Sequence, residues 1–133
     1  MRTIKKILAA ALFALICTAG LAQSEGYDVF VPIGKYMAQG NADALSAWFA
    51  DNLEVEVVSQ EGYASRSQAR QICNAFFQAH TPRSFNIVHT AGRANMKYVI
   101  GDLNAGGENY HVTIFVCCKG GSYKIQQLKI EKI

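Results

Sequence analysis

The chain has 133 residues, half of them hydrophobic and 17% charged, with a formal net charge of +3. That is one domain's worth of sequence, and it is too apolar for a disordered polar chain. The positive balance belongs to the extreme N-terminus, so bulk charge gives no support to nucleic-acid binding.

Arg2, Lys5 and Lys6 precede the unbroken apolar run Ile7 to Ile16, and the small residues Gly20 and Ala22 stand just ahead of Gln23. This pattern predicts a signal peptide over 1–22 and a single exported domain over 23–133, periplasmic or extracellular. The apolar run is shorter than the roughly 20 residues a membrane-spanning helix needs, so a spanning segment is not expected. Lipidation at Cys17 is disfavoured because Ile16 is bulky where such signals carry a small residue. Removing Arg2, Lys5 and Lys6 leaves ten basic against ten acidic residues, a net charge of zero. Any attraction to nucleic acid or an anionic membrane from bulk charge leaves with them.

In chain order, Val29, Phe30, Ile33 and Met37 recur at helical spacing, with Pro32 tolerable only in the first turn. Gly40 stops this helix and Asn41 can cap the next, "ADALSAWFA", which would present Leu45, Trp48 and Phe49 on one face. In "LEVEVV", Leu53, Val55 and Val57 alternate with Glu54 and Glu56 as in a half-exposed strand, and "SQEGYA" reads as a turn. Ser65 and Gln68 form a capping box for "RSQARQICNAFFQAH", whose apolar stripe is Ala69, Ile72, Cys73 and Phe76. Pro82 ends that helix. Beyond it the period is 2, which predicts strands near 84–91, 95–103, 109–118 and 123–131. The last pair is joined by Gly120 and Gly121, a strong hairpin signal because both can take positive φ.

Helix, helix, strand, helix and a four-strand meander make an α+β domain, with three N-terminal helices packed on a curved, mainly antiparallel sheet. That order resembles the nuclear transport factor 2-like superfamily, a cystatin-like, cone-shaped fold. The local likeness runs through "DALSAWFADNLEVEV", similar to the family's helix that ends in Phe-Ala-Asp and runs into the first strand. Gly62 ahead of the long third helix fits the same pattern. More narrowly, the chain resembles the small exported bacterial members whose function is unknown.

The resemblance implies a pocket between helices and sheet, where ketosteroid isomerases and polyketide cyclases do acid–base chemistry and other members bind ligands or proteins. Isomerase-like members carry a second acid as general base after Phe-Ala-Asp. Here the residues read Phe49-Ala50-Asp51-Asn52, and the Asn52 amide cannot accept the proton. A relocated base would have to be Asp51 or His111.

His111 shares a strand face with Thr113, Phe115 and Cys117, opposite the wholly apolar Val112, Ile114, Val116 and Cys118. If the apolar face meets the helices, His111 lies on the outer, dimer-facing side; reversed, it reaches the pocket mouth. His89 alternates with Phe85 and Ile87, a core-edge position, and His80 sits at the end of the third helix. Trp48, Phe76, Tyr98 and His111 are the residues expected to line a ligand site, among aromatics that a core also needs. Cys117 and Cys118 point to opposite faces and no metal-ligand spacing is present, so neither metal nor cofactor is expected. Cys73 and Cys118 are the best disulfide candidates in an oxidising compartment. Arg66, Arg70, Lys124, Lys129 and Lys132 read as solvated surface, with an anionic ligand as the function they could serve.

The sequence therefore points to an exported, non-catalytic domain that binds a small apolar or amphipathic ligand or an envelope protein, with a homodimer through the open sheet face. The alternatives are an isomerase- or cyclase-like enzyme and an interaction module whose cone is filled.

Overall fold

A computed structural model describes residues 28–133, and the expected signal peptide lies outside the described residues. The helices are α1 (Phe30–Gln39), α2 (Ala42–Ser46) and α3 (Arg66–Ala79). The strands are β1 (Phe49–Val57), β2 (Gln60–Ser65), β3 (Pro82–Arg93), β4 (Met96–Ala105), β5 (Glu108–Lys119) and β6 (Ser122–Lys132). They form one sheet in the order β2-β1-β6-β5-β4-β3, antiparallel except for the parallel pair β1 and β6. This is the expected α+β class, with one more strand than the sequence announces.

Pro32 falls in the first turn of α1, where a missing N–H breaks no helical bond. Gly40 takes a left-handed conformation, φ 67°, and the Gly40 and Asn41 N–H groups return to the carbonyls of Met37 and Tyr36. A Cβ there would lie 2.9 Å from Pro82 Cδ. The Asn41 side chain then accepts the Ala44 N–H at 3.0 Å and opens α2. That helix is shorter than expected. The Trp48 carbonyl accepts the Ile125 N–H of β6, and Phe49 is already the first residue of β1. Strand pairing outcompetes helix continuation at two aromatic residues that suit a pleated surface.

"SQEGYA" is likewise not a plain turn but most of β2, registered on β1 from Asn52↔Ser65 to Val57↔Gln60. Only Ala64 of this strand is buried, so the alternation that marks a strand in sequence is missing. The two-residue link turns at Val58, whose φ of 59° is left-handed, a costly conformation for a β-branched residue. Ser65 and Gln68 cap α3 reciprocally as expected, at 3.1 and 3.0 Å.

The inner sheet face and the helices share one core. Phe30, Ile33 and Met37 of α1, Leu45 of α2 and Ala69 and Cys73 of α3 meet Phe49, Leu53, Leu103, Ile114, Ile125 and Leu128, each exposed by 1% or less. Burying a side chain of this size stabilises the fold by about 1.5–3 kcal/mol. Phe85 ties α1 to the sheet, its ring 3.5 Å from where a Cβ on Gly34 would sit and over Gly101 of β4, which has no room for one.

Cys73 and Cys118, the candidate disulfide pair, are both free thiols in this structure. The reason is distance: α3 packs on α2, β1 and β2, and its Phe76 reaches β5 at Tyr110. Cys118 lies eight residues further along that strand, about 26 Å at strand rise. A disulfide requires Cα atoms within about 7 Å.

Burial pushes the Cys73 thiol up to about 12. In the folded protein at neutral pH, a thiol reagent should therefore modify the half-buried Cys117 and Cys118 while Cys73 reacts only on unfolding; rapid native labelling of all three contradicts this packing. Gly40→Ala should lower stability by about 1–2 kcal/mol through the left-handed penalty, with contact against Pro82 adding to it. Val58→Asn should raise stability by about 1 kcal/mol. Chemical denaturation midpoints compared at equal slope read both.

Candidate functional site

The sheet has two faces, and they differ in what covers them. Along β5, Tyr110, Val112, Ile114 and Val116 are buried, whereas His111, Thr113, Phe115 and Cys117 point the other way and remain partly or fully exposed. The apolar face meets the helices, so His111 lies on the outer side. The cross-strand register then sets one outer row, Tyr63–Glu54–Gln127–Phe115–Tyr98–Ala91, running from β2 to β3. A second row reads Glu61–Glu56–Lys129–Thr113–Ile100–His89.

These rows place aromatic and aliphatic side chains within a polar frame. Tyr63 is 83% exposed, and Phe115, Tyr98 and Ile100 are half-buried by their neighbours alone. The Gln127 amide donates to Glu54 at 3.1 Å, and Lys129 lies 3.9 Å from Glu56 and 3.6 Å from Glu131. A cleft of about 310 Å³ opens on this face between Asn52, Glu54, Tyr63, Phe115, Gln126 and Gln127. Gln126 is the extra residue of a bulge in β6, where Phe115 pairs with Gln127 but Val116 pairs with Ile125.

The charge on the outer face is divided by end. Glu56, Glu61, Asp102 and Glu131, with Lys129 among them, crowd the end near the β1–β2 turn, and Arg93, Lys119 and Lys124 occupy the opposite end near the β3–β4 and β5–β6 turns. His111 stands between Asp102 and Glu131 in register, with its Nδ1 3.1 Å from the Asp102 carboxylate and both side chains half-exposed. Beyond the acidic end, the Lys132 side chain bonds to Glu108 and holds its carboxyl below the usual range.

The residues expected to line one pocket do not converge. Phe76 is on the helix side, edge-on to Tyr110 at 5.1 Å and beside His80 at 4.9 Å. Trp48 is half-buried against the core where α2 meets β1. Tyr98 and His111 lie across the sheet from both. Asp51 is exposed and bound to Arg66 at 2.7 Å, outside the space between helices and sheet. Asn52, which the resemblance sets against an isomerase-like base, is exposed as well.

His89 is on the outer face rather than at the core edge, with its ring centroid 5.9 Å from that of Tyr98. Ile87 pairs with Gly101 and His89 with Ile100, so Val88 is a bulge that reverses the alternation after Ile87. Tyr63 and Phe115 were not singled out from the sequence. Phe115 could have been, as a large aromatic on the polar side of an alternating strand; Tyr63 could not, because β2 has no pattern. Among the described residues no group of His, Cys, Asp and Glu is placed to hold a metal ion, and no helix is long and apolar enough to cross a membrane.

No curated protein matches the chain. Solved structures do. A DUF4783 family protein from Bacteroides uniformis ATCC 8492 is 26% identical, with a TM-score of 0.76 over 80% of this chain and 98% of that one. A second, from Bacteroides ovatus ATCC 8483, is 22% identical, with a TM-score of 0.74 over 82% of this chain and 97% of that one. A structure described as a polyketide cyclase from Sinorhizobium meliloti shares the fold alone, at 18% identity and a TM-score of 0.60 over 78% and 94% of the two chains. The profile of the family described as Domain of unknown function (DUF4783) matches residues 30–131, from the first residue of α1 to the last but one of β6, and the chain belongs to that family.

Proposed function

We propose that this protein is a non-catalytic binding domain, acting after export in the periplasm or outside the cell, whose open sheet face takes a protein partner. One observation carries the reading: the inner face is packed with side chains exposed by 1% or less, while the outer face leaves Tyr63, Phe115, Tyr98 and Ile100 without a cover. A small apolar ligand between helices and sheet would have to displace Phe49, Leu53 and Leu128 from that core. Acid–base chemistry there is unsupported by its two candidates, since Asp51 and His111 both face away from the interior.

The partner favoured by the charge layout is a second copy. A two-fold axis lying in the interface and crossing the strands reverses strand direction. It sets the acidic end of each outer face over the cationic end of the other and brings Phe115 near its own symmetry mate. The aromatic row supplies apolar contact at the centre, where the energy of such interfaces concentrates.

Light scattering over a wide concentration range should show reversible dimerisation that weakens as salt is raised. Phe115→Glu should weaken the dimer by roughly tenfold or more, about 1.4 kcal/mol, without changing the far-ultraviolet circular dichroism. A monomer at every concentration overturns self-docking on this face.

A further inference from the structure

We propose that a second site, a cationic cleft at the turn end of the sheet, binds a phosphate group. The cleft has a volume of about 380 Å³ and is lined by Ala50, Asp51, Asn52, Arg66, Lys119, Lys124 and Gln126. It takes its residues from three distant parts of the chain. The parallel pairing Phe49↔Ile125 sets the start of β1 beside the start of β6, and the turn at Gly120 and Gly121 brings Lys119 to the same corner. The antiparallel pairing Asn52↔Ser65 returns β2 there too, so that Arg66 opens α3 at the cleft.

The corner carries unspent charge. Arg70 lies on Asp43, Lys129 on Glu56 and Glu131, and Lys132 on Glu108, whereas Lys35, Arg83, Arg93 and Lys97 make no ion pair among the described residues and do not line this cleft. Here Arg66, Lys119 and Lys124 share a single carboxylate, Asp51, which Arg66 already engages at 2.7 Å. Lys119 has no ion pair among the described residues. A concave site with this excess of one sign concentrates a counter-ion.

The donors are also held in place. The Arg66 guanidinium is fixed by Nε on the Phe49 carbonyl at 3.2 Å and Nη2 on Asp51, which occupies two of its five N–H donors. Lys124 Nζ donates to the Ala47 carbonyl at 2.9 Å, leaving two of its three hydrogens. The Asn52 and Gln126 amides add neutral donors at the rim. A planar arginine fork beside two ammonium groups matches the geometry and double charge of a phosphate better than it matches chloride or a single carboxylate. The N-terminus of α3 adds little, because Ser65 and Gln68 already satisfy its first donors. The cations carry the site.

Inorganic phosphate titrated against sodium chloride of equal ionic strength, followed by amide shifts in nuclear magnetic resonance, tests the assignment. Saturable shifts at Asn52, Arg66, Lys119 and Gln126 are expected with phosphate and not with chloride. Lys119→Ala, at an exposed hairpin position, should leave the spectrum elsewhere unchanged and weaken binding by roughly tenfold. Lys119 and Lys124 also form the cationic end of the dimerisation face, so the titration is repeated on the Phe115→Glu chain; binding there separates this site from self-association. Sedimentation with vesicles of equimolar phosphatidylglycerol and phosphatidylcholine distinguishes the source. Retention that is lost in Lys119→Ala assigns the group to a lipid headgroup, and binding of free phosphate without retention assigns it to a soluble phosphate. Phosphate shifts no larger than those of chloride together with no vesicle retention overturn the proposal, as does undiminished binding by Lys119→Ala.

Discussion

The parallel pairing of β1 with β6 joins the first strand of the described residues to the last, across more than seventy intervening residues. Every other strand pair is a local antiparallel hairpin, which a short turn can close on its own. The pairing of the two ends closes the domain. It places β1 and β6 side by side in the interior of the sheet, leaves β2 and β3 at the rims, and lets α3 cross back over the inner face. Its closure entropy is recovered by the buried rows that it completes, in which Val55 meets Leu128 and Val57 meets Ile130. A change that loosens this contact separates both the outer face and the cationic corner into unrelated fragments.

A consequence is a division of labour between the two faces of a single sheet. The inner face spends its side chains on stability: its alternate positions on β1, β4, β5 and β6 are nearly all inaccessible to water. The outer face gains little from folding, because its aromatic side chains remain half in water and its ion pairs are exposed, where they contribute little. Tyr63, Phe115, Tyr98 and Ile100 therefore add little to the monomer, and the proposed docking of a partner rests on them.

Where local chemistry decides the structure, it is readable in the sequence. The Ser65–Gln68 box, the left-handed stop at Gly40, the Gly120–Gly121 turn and the alternation of β5 each depend on a few adjacent residues, and each is found where expected. What fails depends on pairing with a distant partner. Phe49 leaves the helical pattern because β6 is there to receive it, and β2 forms through backbone bonds to β1 although only Ala64 among its side chains is buried. One inserted residue, Val88, transfers His89 to the other face. The candidate sites are the least legible of all, since Arg66, Lys119 and Lys124 look like ordinary solvated charges until three turns bring them together.

The bulge at Val88 has a further effect on how the molecule can associate. β3 is a twelve-residue rim strand, long enough for its free N–H and C=O groups to template another chain. The bulge breaks the repeat of those groups midway, Pro82 removes a donor at one end, and Arg83 and Arg93 bring like charges to any second copy that approaches edge to edge. Open-ended growth of the sheet is therefore obstructed, whereas a face-to-face pair is closed by its own symmetry and stops at two. A rim built this way is compatible with the proposed face-to-face pair and works against extension of the sheet into fibres.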